Sequence, residues 1–259
     1  CLHEPYADAG HTGTAHLDAA AVAAHVVACT EAGLQAGFHA IGDAAVSTVV
    51  DGVRAAAEKL GLSRVRAARH RVEHAEMVTP ETIAAFAELG LTASVQPAFD
   101  ALWGGPDALY AHRLGDRAGR LNDFSAMAQA GLTLAFSSDS PVCAIDPWAT
   151  VRAAAHHRTE GNGISPRAAF AAATRGGWRA AGINDGLTGM LVPGAPAHYA
   201  IWEADDLVVA PSHAGVQRWS TDPRSRVPAL PDVHPEAPLP TCVATAVHGE
   251  VVYDRDAAG

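Results

Sequence analysis

Cysteine is scarce in this sequence: Cys1, Cys29, Cys143 and Cys242 are the only four in 259 residues, and no two form a CxxC pair. That excludes a disulfide scaffold and leaves reduced thiols and a cytoplasmic location as the expectation. Positive charge is also short, with 18 Lys and Arg against 28 Asp and Glu and a formal net charge of −10. No basic stripe relieves this balance locally, so a phosphate-binding face, and nucleic acid as a partner, is not expected. Apolar runs are broken by Gly, His or Asp well before the ~18 residues of a membrane span, so no membrane partner is expected. No GxGxxG opens a helix after a strand, which argues against dinucleotide-dependent oxidoreduction. The first residue is Cys1, and the first ten residues form no signal peptide. The expectation is that something upstream was removed or that the chain is a piece of a longer protein.

What remains is globular in character: 49% of residues are hydrophobic and 18% charged, a balance that can bury a core. Histidine is abundant, with fourteen residues. Most are expected to be surface residues, so position in the fold must pick out the exceptions.

A regular pattern runs through the first 182 residues. After a loop, a helical stretch follows with Leu17, Val22 and Val26 among alanines. An apolar run over 34–41 ends at Gly42-Asp43. A helix follows with Val46, Val49, Val50, Val53, Ala57 and Leu60 on one face and Asp43 as its N-cap. A second strand over 70–75 leads into a helix that has Pro80 in its first turn, Ile83, Phe86 and Leu89 inward, and Gly90 at its end. The third strand spans 91–95, and a long irregular connection covers 96–120. A helix over 123–130, a stop at Gly131 and a fourth strand over 132–136 come next, then helices over 147–157 and 165–181. Four strand–helix units with strands apolar on both faces predict an α/β fold built on a parallel sheet. Beyond a boundary at 182–188, short strand candidates at 198–202, 207–209, 241–247 and 251–253 flank a Pro-rich stretch over 211–240. This tail is expected to be a small β unit.

In parallel α/β proteins the chemistry lies at the carboxyl ends of the strands. Those ends carry His39 in GFHAIGD, His74 in RVEHAE, Gln96 in SVQP and Asp139 in FSSDSP. Each has a plain alternative. His39 suits a core histidine, His74 an ion-pair network with Arg71, Glu73 and Glu76, Asp139 a turn before Pro141, and Gln96 an end-of-strand hydrogen bond. Taken on one rim, two imidazoles, an amide and a carboxylate point to a divalent-metal or catalytic site, with His39, His74 and Asp139 as ligands.

The ordered segments HAIGD, RVEHAE, SVQPAF, RLGDRA and SSDSPV closely resemble the amidohydrolase superfamily, and within it the amidohydrolase-3 branch with its YtcJ-like enzymes and N-substituted formamide deformylase. The similarity continues through AAFAAATRGGWRAAG, GMLVPGAPAHYAIWEADDL and TAVHGEVVYD. The resemblance implies strands 5–8 of a (β/α)8 TIM barrel over residues 1–182 and the C-terminal strands of a β-sandwich over 183–259. It matches His39 to the strand-5 histidine, His74 to the strand-6 histidine and Asp139 to the strand-8 aspartate. No HxH precedes His39, because His3, His11, His16 and His25 stand alone, so the strand-1 pair and the strand-4 ligand would lie outside this chain. The segment 194–198, Gly-Ala-Pro-Ala-His, also departs from the family's usual GKxADLVV.

The activity implied is hydrolysis of an amide or formamide-like C–N bond by a metal-activated water, with zinc as the expected ion and one or two ions in a whole enzyme. Asp139 would be the general base. Gln96 and Trp103, with Phe99 and Tyr110, would form the substrate wall for a small-molecule amide. The chain alone is expected to bind metal weakly, to have little activity, and to self-associate or pair with its missing half. The alternative is a half-barrel remnant that acts as a binding or scaffold protein.

Overall fold

The computed structural model describes residues 1–208 and 229–257. Helix α1 (Ala19–Glu31) starts where the Asp18 carboxylate accepts the Ala21 N–H at 2.8 Å, satisfying one of the donors a helix start leaves free. Leu17 stays outside the helix and exposed. Strand β1 (Gly37–Ala40) leads into α2 (Asp43–Leu60). Asp43 is not the cap of α2 but its first residue, because Gly42 takes the extended N-cap position. The Asp43 Oδ1 instead accepts the N–H groups of Ala44 (2.9 Å) and His3 (3.0 Å), which fastens the N-terminal segment to the start of the helix. A short α3 (Leu62–Ala68), too brief to leave a periodic pattern in the sequence, follows α2. Beyond β2 (Arg71–His74), the Thr79 side chain caps α4 (Pro80–Leu89) and the Thr82 hydroxyl accepts the Thr79 N–H in return. Gly90, at φ 68°, closes α4 in the left-handed conformation glycine permits.

Strand β3 (Thr92–Val95) is buried throughout. The connection expected to be irregular holds two helices, α5 (Pro97–Trp103) and α6 (Leu109–Leu114), and a 3-10 segment (Gly115–Arg120). Pro97 starts α5, and each piece is too short to show a full apolar period. Then come α7 (Phe124–Gln129), β4 (Thr133–Phe136) and α8 (Pro147–Ala155). The expected single helix over 165–181 is α9 (Pro166–Ala171), a π-helical turn (Ala172–Gly176) and α10 (Gly177–Ala180). A Cβ on Gly176 would stand 2.2 Å from the Leu134 carbonyl oxygen, so glycine is what lets this turn press its backbone onto β4.

The four strands pair in chain order, β1-β2-β3-β4, all parallel. This α/β sheet is the one the apolar strands predicted. Further along, β5 (Tyr199–Glu203), β8 (Thr241–Val247) and β9 (Glu250–Asp254) form an antiparallel sheet in the order β5-β8-β9. A separate pair joins β6 (Leu207–Val208) to β7 (Leu230–Pro231). Val209 and residues 211–228 of the Pro-rich stretch lie outside the described residues. No described helix is long and apolar enough to cross a membrane.

The core forms where α1 and α2 lie on the sheet: Val22, Val26, Val46, Val53, Val72, Phe86 and Val95 are almost fully buried. One buried polar group ties this region together. His70 accepts the Ala36 N–H at Nδ1 (2.9 Å), so its Nε2 carries the proton toward the Thr30 hydroxyl at 2.9 Å. That hydroxyl in turn donates to the Val26 carbonyl at 2.7 Å. Burial, then the nearby His25, holds the His70 imidazole below its ordinary pKa of 6.5. A depressed folded-state pKa means that the stabilisation is complete above 6.5 and is lost as pH falls below 6.5 and through the lower folded-state pKa.

Two expectations follow for urea or thermal unfolding. Gly52→Ala would ordinarily strengthen a helix by about 0.8–1 kcal/mol. Here the new methyl would meet Val22 Cγ1 at 2.4 Å, so a net loss of about 1–3 kcal/mol is expected. His70→Gln, which does not titrate, is expected to cost about 1–3 kcal/mol at pH 8, with the gap to the parent chain narrowing as pH falls from 7 to 5. A gap that widens on acidification would contradict the neutral-imidazole assignment.

Candidate functional site

Parallel pairing brings the C-terminal ends of all four strands to one rim, and the register fixes what meets there. His39 is paired with Glu73, and Ala40 with His74. Register partners share a face of the sheet while neighbours along a strand alternate, so a regular strand end would send His74 away from His39. His74 instead has φ 72° and Ala75 has φ 45°. These are left-handed conformations that a residue with a side chain adopts only when its surroundings hold it there. The alternation breaks, and the His74 ring lies against His39 with centroids 4.5 Å apart and planes at 73°.

Gln96 holds the ring in place. Its Oε1 lies 2.9 Å from His74 Nδ1, and its Nε2 donates to the Ser137 hydroxyl at 2.8 Å. An amide oxygen can only accept, so His74 Nδ1 carries the proton and Nε2 keeps its lone pair. His74 and Gln96 are both buried, 6% and 2% exposed. The ion-pair network considered for His74 does not form around it: Arg71 pairs with Glu73 at 2.5 Å, while His74 bonds Gln96. The exposed His39 makes no hydrogen bond among the described residues. Desolvation and then the adjacent His74 keep its imidazole below the ordinary 6.5, with the charge of Asp139 offsetting part of that.

Asp139 follows β4 by three residues, at φ 53°. Its carbonyl accepts the Val142 N–H at 2.8 Å, which is turn chemistry. Its exposed carboxylate has no hydrogen-bond partner among the described residues. The structure thus brings His39, His74 and Gln96 into contact and leaves Asp139 at the same rim without joining them. Among the described residues, no three His, Cys, Asp or Glu side chains gather closely enough to hold a metal ion.

The segment after β3 roofs this rim. Phe99 stacks on His74 (6.0 Å, 14°), Trp103 packs on Phe99 at 4.6 Å, and Tyr110 meets Trp103 edge-on at 6.1 Å. The expected wall residues therefore form one aromatic row that starts on the histidine. Helix α5, which carries two of them, is anchored from below: the Asp100 carboxylate accepts the Arg158 N–H at 2.8 Å and faces His157 Nε2 at 3.5 Å.

Glu76 is the residue the sequence did not single out as a site group. It is 3% exposed, and its Oε2 accepts the Tyr110 hydroxyl at 2.5 Å. Burial pushes the carboxyl above the usual range, and burial together with Glu76 raises the Tyr110 phenol. An acid two residues beyond a strand-end histidine was the available signal. Both residues face a cavity of about 540 Å³, which also reaches His39, Leu2, Met77, Leu109 and Leu114.

Residues 1–253 match a family model described as the amidohydrolase family. A curated relative, Protein LONG AFTER FAR-RED 3 of Arabidopsis thaliana, is 32% identical over 211 residues, which is 77% of this chain and 35% of that protein. Among solved structures, an uncharacterized metal-dependent hydrolase from Pyrococcus furiosus is 26% identical, with a TM-score of 0.65, over 76% of this chain and 39% of its own. An atrazine chlorohydrolase from Arthrobacter aurescens TC1 complexed with zinc matches in fold alone, at 20% identity and a TM-score of 0.58, over 94% of this chain and 49% of its own. The chain thus spans about half the length, or less, of each of these proteins.

Proposed function

The chain belongs to the amidohydrolase family, and we propose that it forms the C-terminal part of a metal-dependent hydrolase that cleaves a C–N bond of an amide or formamide-like substrate. On this reading residues 1–182 are strands 5–8 of a TIM barrel and 183–259 belong to a β-sandwich. The observation that carries it is the His39–His74 pair at the strand ends, with His74 turned into place by a left-handed backbone and oriented by Gln96. A histidine whose Nδ1–H is held by a neighbouring acceptor presents Nε2 as a ligand, which is the usual outer-shell arrangement at metal sites. The donor set fits two positions of a zinc-class shell. The remaining ligands would come from outside these residues or from a movement of Asp139.

When bound, a divalent ion of this class supplies Lewis acidity that makes water nucleophilic near neutral pH and polarises a carbonyl. The chain's own groups do the rest. His39 and His74 hold their nitrogens toward the rim. Asp139, free of hydrogen bonds at its carboxylate, takes the proton of the attacking water and returns it to the departing nitrogen. Phe99 and Trp103 exclude water on one side, and Gln96 is a positioning residue that fixes the His74 ring. The lack of a third clustered donor among the described residues favours a second reading, a binding or scaffold protein that keeps ligand-type residues by descent. Localisation in the cytoplasm and association with a second copy or a complementary half are parts of the same proposal.

Zinc titration of the metal-free chain, followed by calorimetry, separates the two readings. The hydrolase reading expects weak 1:1 binding that is abolished in His74→Ala and weakened about 10–100-fold in Gln96→Ala, with little amide turnover by the chain alone. Zinc binding unaffected by either change would overturn the assigned ligands. A chelator-resistant ion with measurable turnover would instead overturn the view that this site is incomplete.

A further inference from the structure

We infer that Tyr110 is a positioning residue for His74 and that it acts through Glu76, so that the roof over the rim and the strained histidine turn move as one unit. Its meaning rests on the reading of His74 as a ligand, since it says what keeps that ring in place. The contacts that carry it do not depend on a metal.

The backbone just beyond His74 is held from two sides. On the sheet side, the Ala75 N–H donates to the Ala40 carbonyl at 2.9 Å and the Met77 N–H to the Ile41 carbonyl at 3.0 Å. On the other side, the Glu76 carbonyl accepts the Asn122 N–H at 2.7 Å, and the Glu76 carboxyl accepts the Tyr110 hydroxyl at 2.5 Å. The Asn122 side chain, sealed from solvent, sits beside both the carboxyl and the phenol. Glu76 is 3% exposed, and a buried carboxyl deprived of a donor is driven toward water. Tyr110 and Asn122 together keep it inside, and of the two only Tyr110 belongs to the roof. Glu76 in turn lies next to the left-handed pair His74 and Ala75, so its side chain cannot leave without pulling on that turn.

The contacts also close on themselves. His74 stacks on Phe99, Phe99 packs on Trp103, and Trp103 meets Tyr110 edge-on. Tyr110 then returns through its hydroxyl to Glu76, two residues along the chain from His74. In an open row the last ring could shift alone, whereas in a closed circuit of packed groups displacing one strains the others. Tyr110 and Glu76 both wall the cavity of about 540 Å³. An occupant that displaces Tyr110 therefore disturbs the His74 ring, which makes cavity and rim linked sites.

Helix α6 has a second attachment that separates this role from general support. The Arg113 guanidinium donates to the Asp8 carboxylate at 2.8 Å, and the Ala7 N–H donates to the Arg113 carbonyl at 2.8 Å. That attachment ties α6 to the N-terminal segment and uses no group of the turn after His74.

The test uses the full chain, first metal-free at pH 8, where an ordinary imidazole is neutral. Long-range proton–nitrogen NMR reports the His74 tautomer, and thermal unfolding and zinc calorimetry accompany it. The parent chain is expected to hold the single Nδ1–H form that Gln96 dictates. Tyr110→Phe and Glu76→Ala are each expected to mix the tautomers and to weaken zinc binding about three- to tenfold. Glu76→Gln, which keeps an oxygen for the Tyr110 hydroxyl, is expected to retain the parent tautomer and affinity. Asp8→Asn, which loosens α6 at its other attachment, is expected to lower the unfolding temperature without mixing the tautomers. Should Tyr110→Phe fail to fold, Glu76→Ala set against Glu76→Gln carries the same contrast. One unmixed tautomer in both Tyr110→Phe and Glu76→Ala, or mixing in Asp8→Asn equal to theirs, would overturn the inference. Zinc that binds no form would sink the ligand reading alone, because the tautomer comparison is made without metal.

Discussion

A parallel sheet with sequential strand order sends every strand's carboxyl end to the same rim, and the rest of this molecule follows from that constraint. Four strands of only four residues each are too short to be stable alone. They persist because β3 is buried along its whole length and because α1, α2 and α4 cover the sheet with branched and aromatic side chains. Parallel pairing in register sets the residues at the strands' carboxyl ends side by side. His39, His74 and Gln96 therefore converge as a consequence of packing, with no need for long reaching side chains. Glycine at 52 and 176 sets how closely α2 meets α1 and how closely the π-helical turn meets β4, so the rim inherits its geometry from backbone contacts remote from it.

At the rim the regular rules are broken in a concentrated way. His74, Ala75 and Asp139 are three of the six described residues other than glycine with positive φ. Holding such conformations costs of order 1–3 kcal/mol each, which the surrounding structure must offset. For His74 the offset is visible: a hydrogen bond donated to Gln96, a stacked Phe99 and a partner ring in His39. Local backbone preference would have released the ring to the other face, and tertiary contacts overrule it. At His74 the strained backbone brings two imidazoles together, a result better explained by chemistry than by folding.

The sequence made much of this legible, for physical reasons that also mark its limits. Apolar runs over 34–41, 91–95 and 132–136 and the strand–helix spacing made the parallel sheet readable, although of the four strands only β3 is buried throughout, and β1 and β2 alternate buried with exposed or half-buried residues. Pro80 in the first turn of α4 and Gly90 at its end act through local backbone chemistry and were readable from the sequence, whereas the Thr79 cap was not singled out. Asp43 misled because both Gly42 and Asp43 suit a helix start, and only the approach of the His3 N–H decides between them. Helices α3, α5 and α6 have seven, seven and six residues, less than the two turns over which an apolar stripe becomes periodic. Glu76 was passed over because its role depends on Tyr110, thirty-four residues away, and no local pattern encodes that pairing.

Fourteen histidines posed the sharpest problem, and hydrogen bonding separates them better than burial does. His70 commits both ring nitrogens, one to Ala36 and one to Thr30, and so holds α1 against the sheet with nothing left to offer a ligand. His157 gives Nδ1 to the Thr159 N–H and turns Nε2 toward Asp100, and burial lowers its pKa, so it too remains an anchor for the roof over the rim. His74 is as buried as these, yet it commits only one nitrogen, and it does so to an amide whose own donor is taken by Ser137. His157 Nε2 has no hydrogen-bond partner either, but it is sealed against Asp100, whereas His74 Nε2 is not among the sealed atoms. His74 therefore differs from His70 by an unfilled valence at a strand end, and that difference ties the architecture of the sheet to the chemistry proposed for its rim.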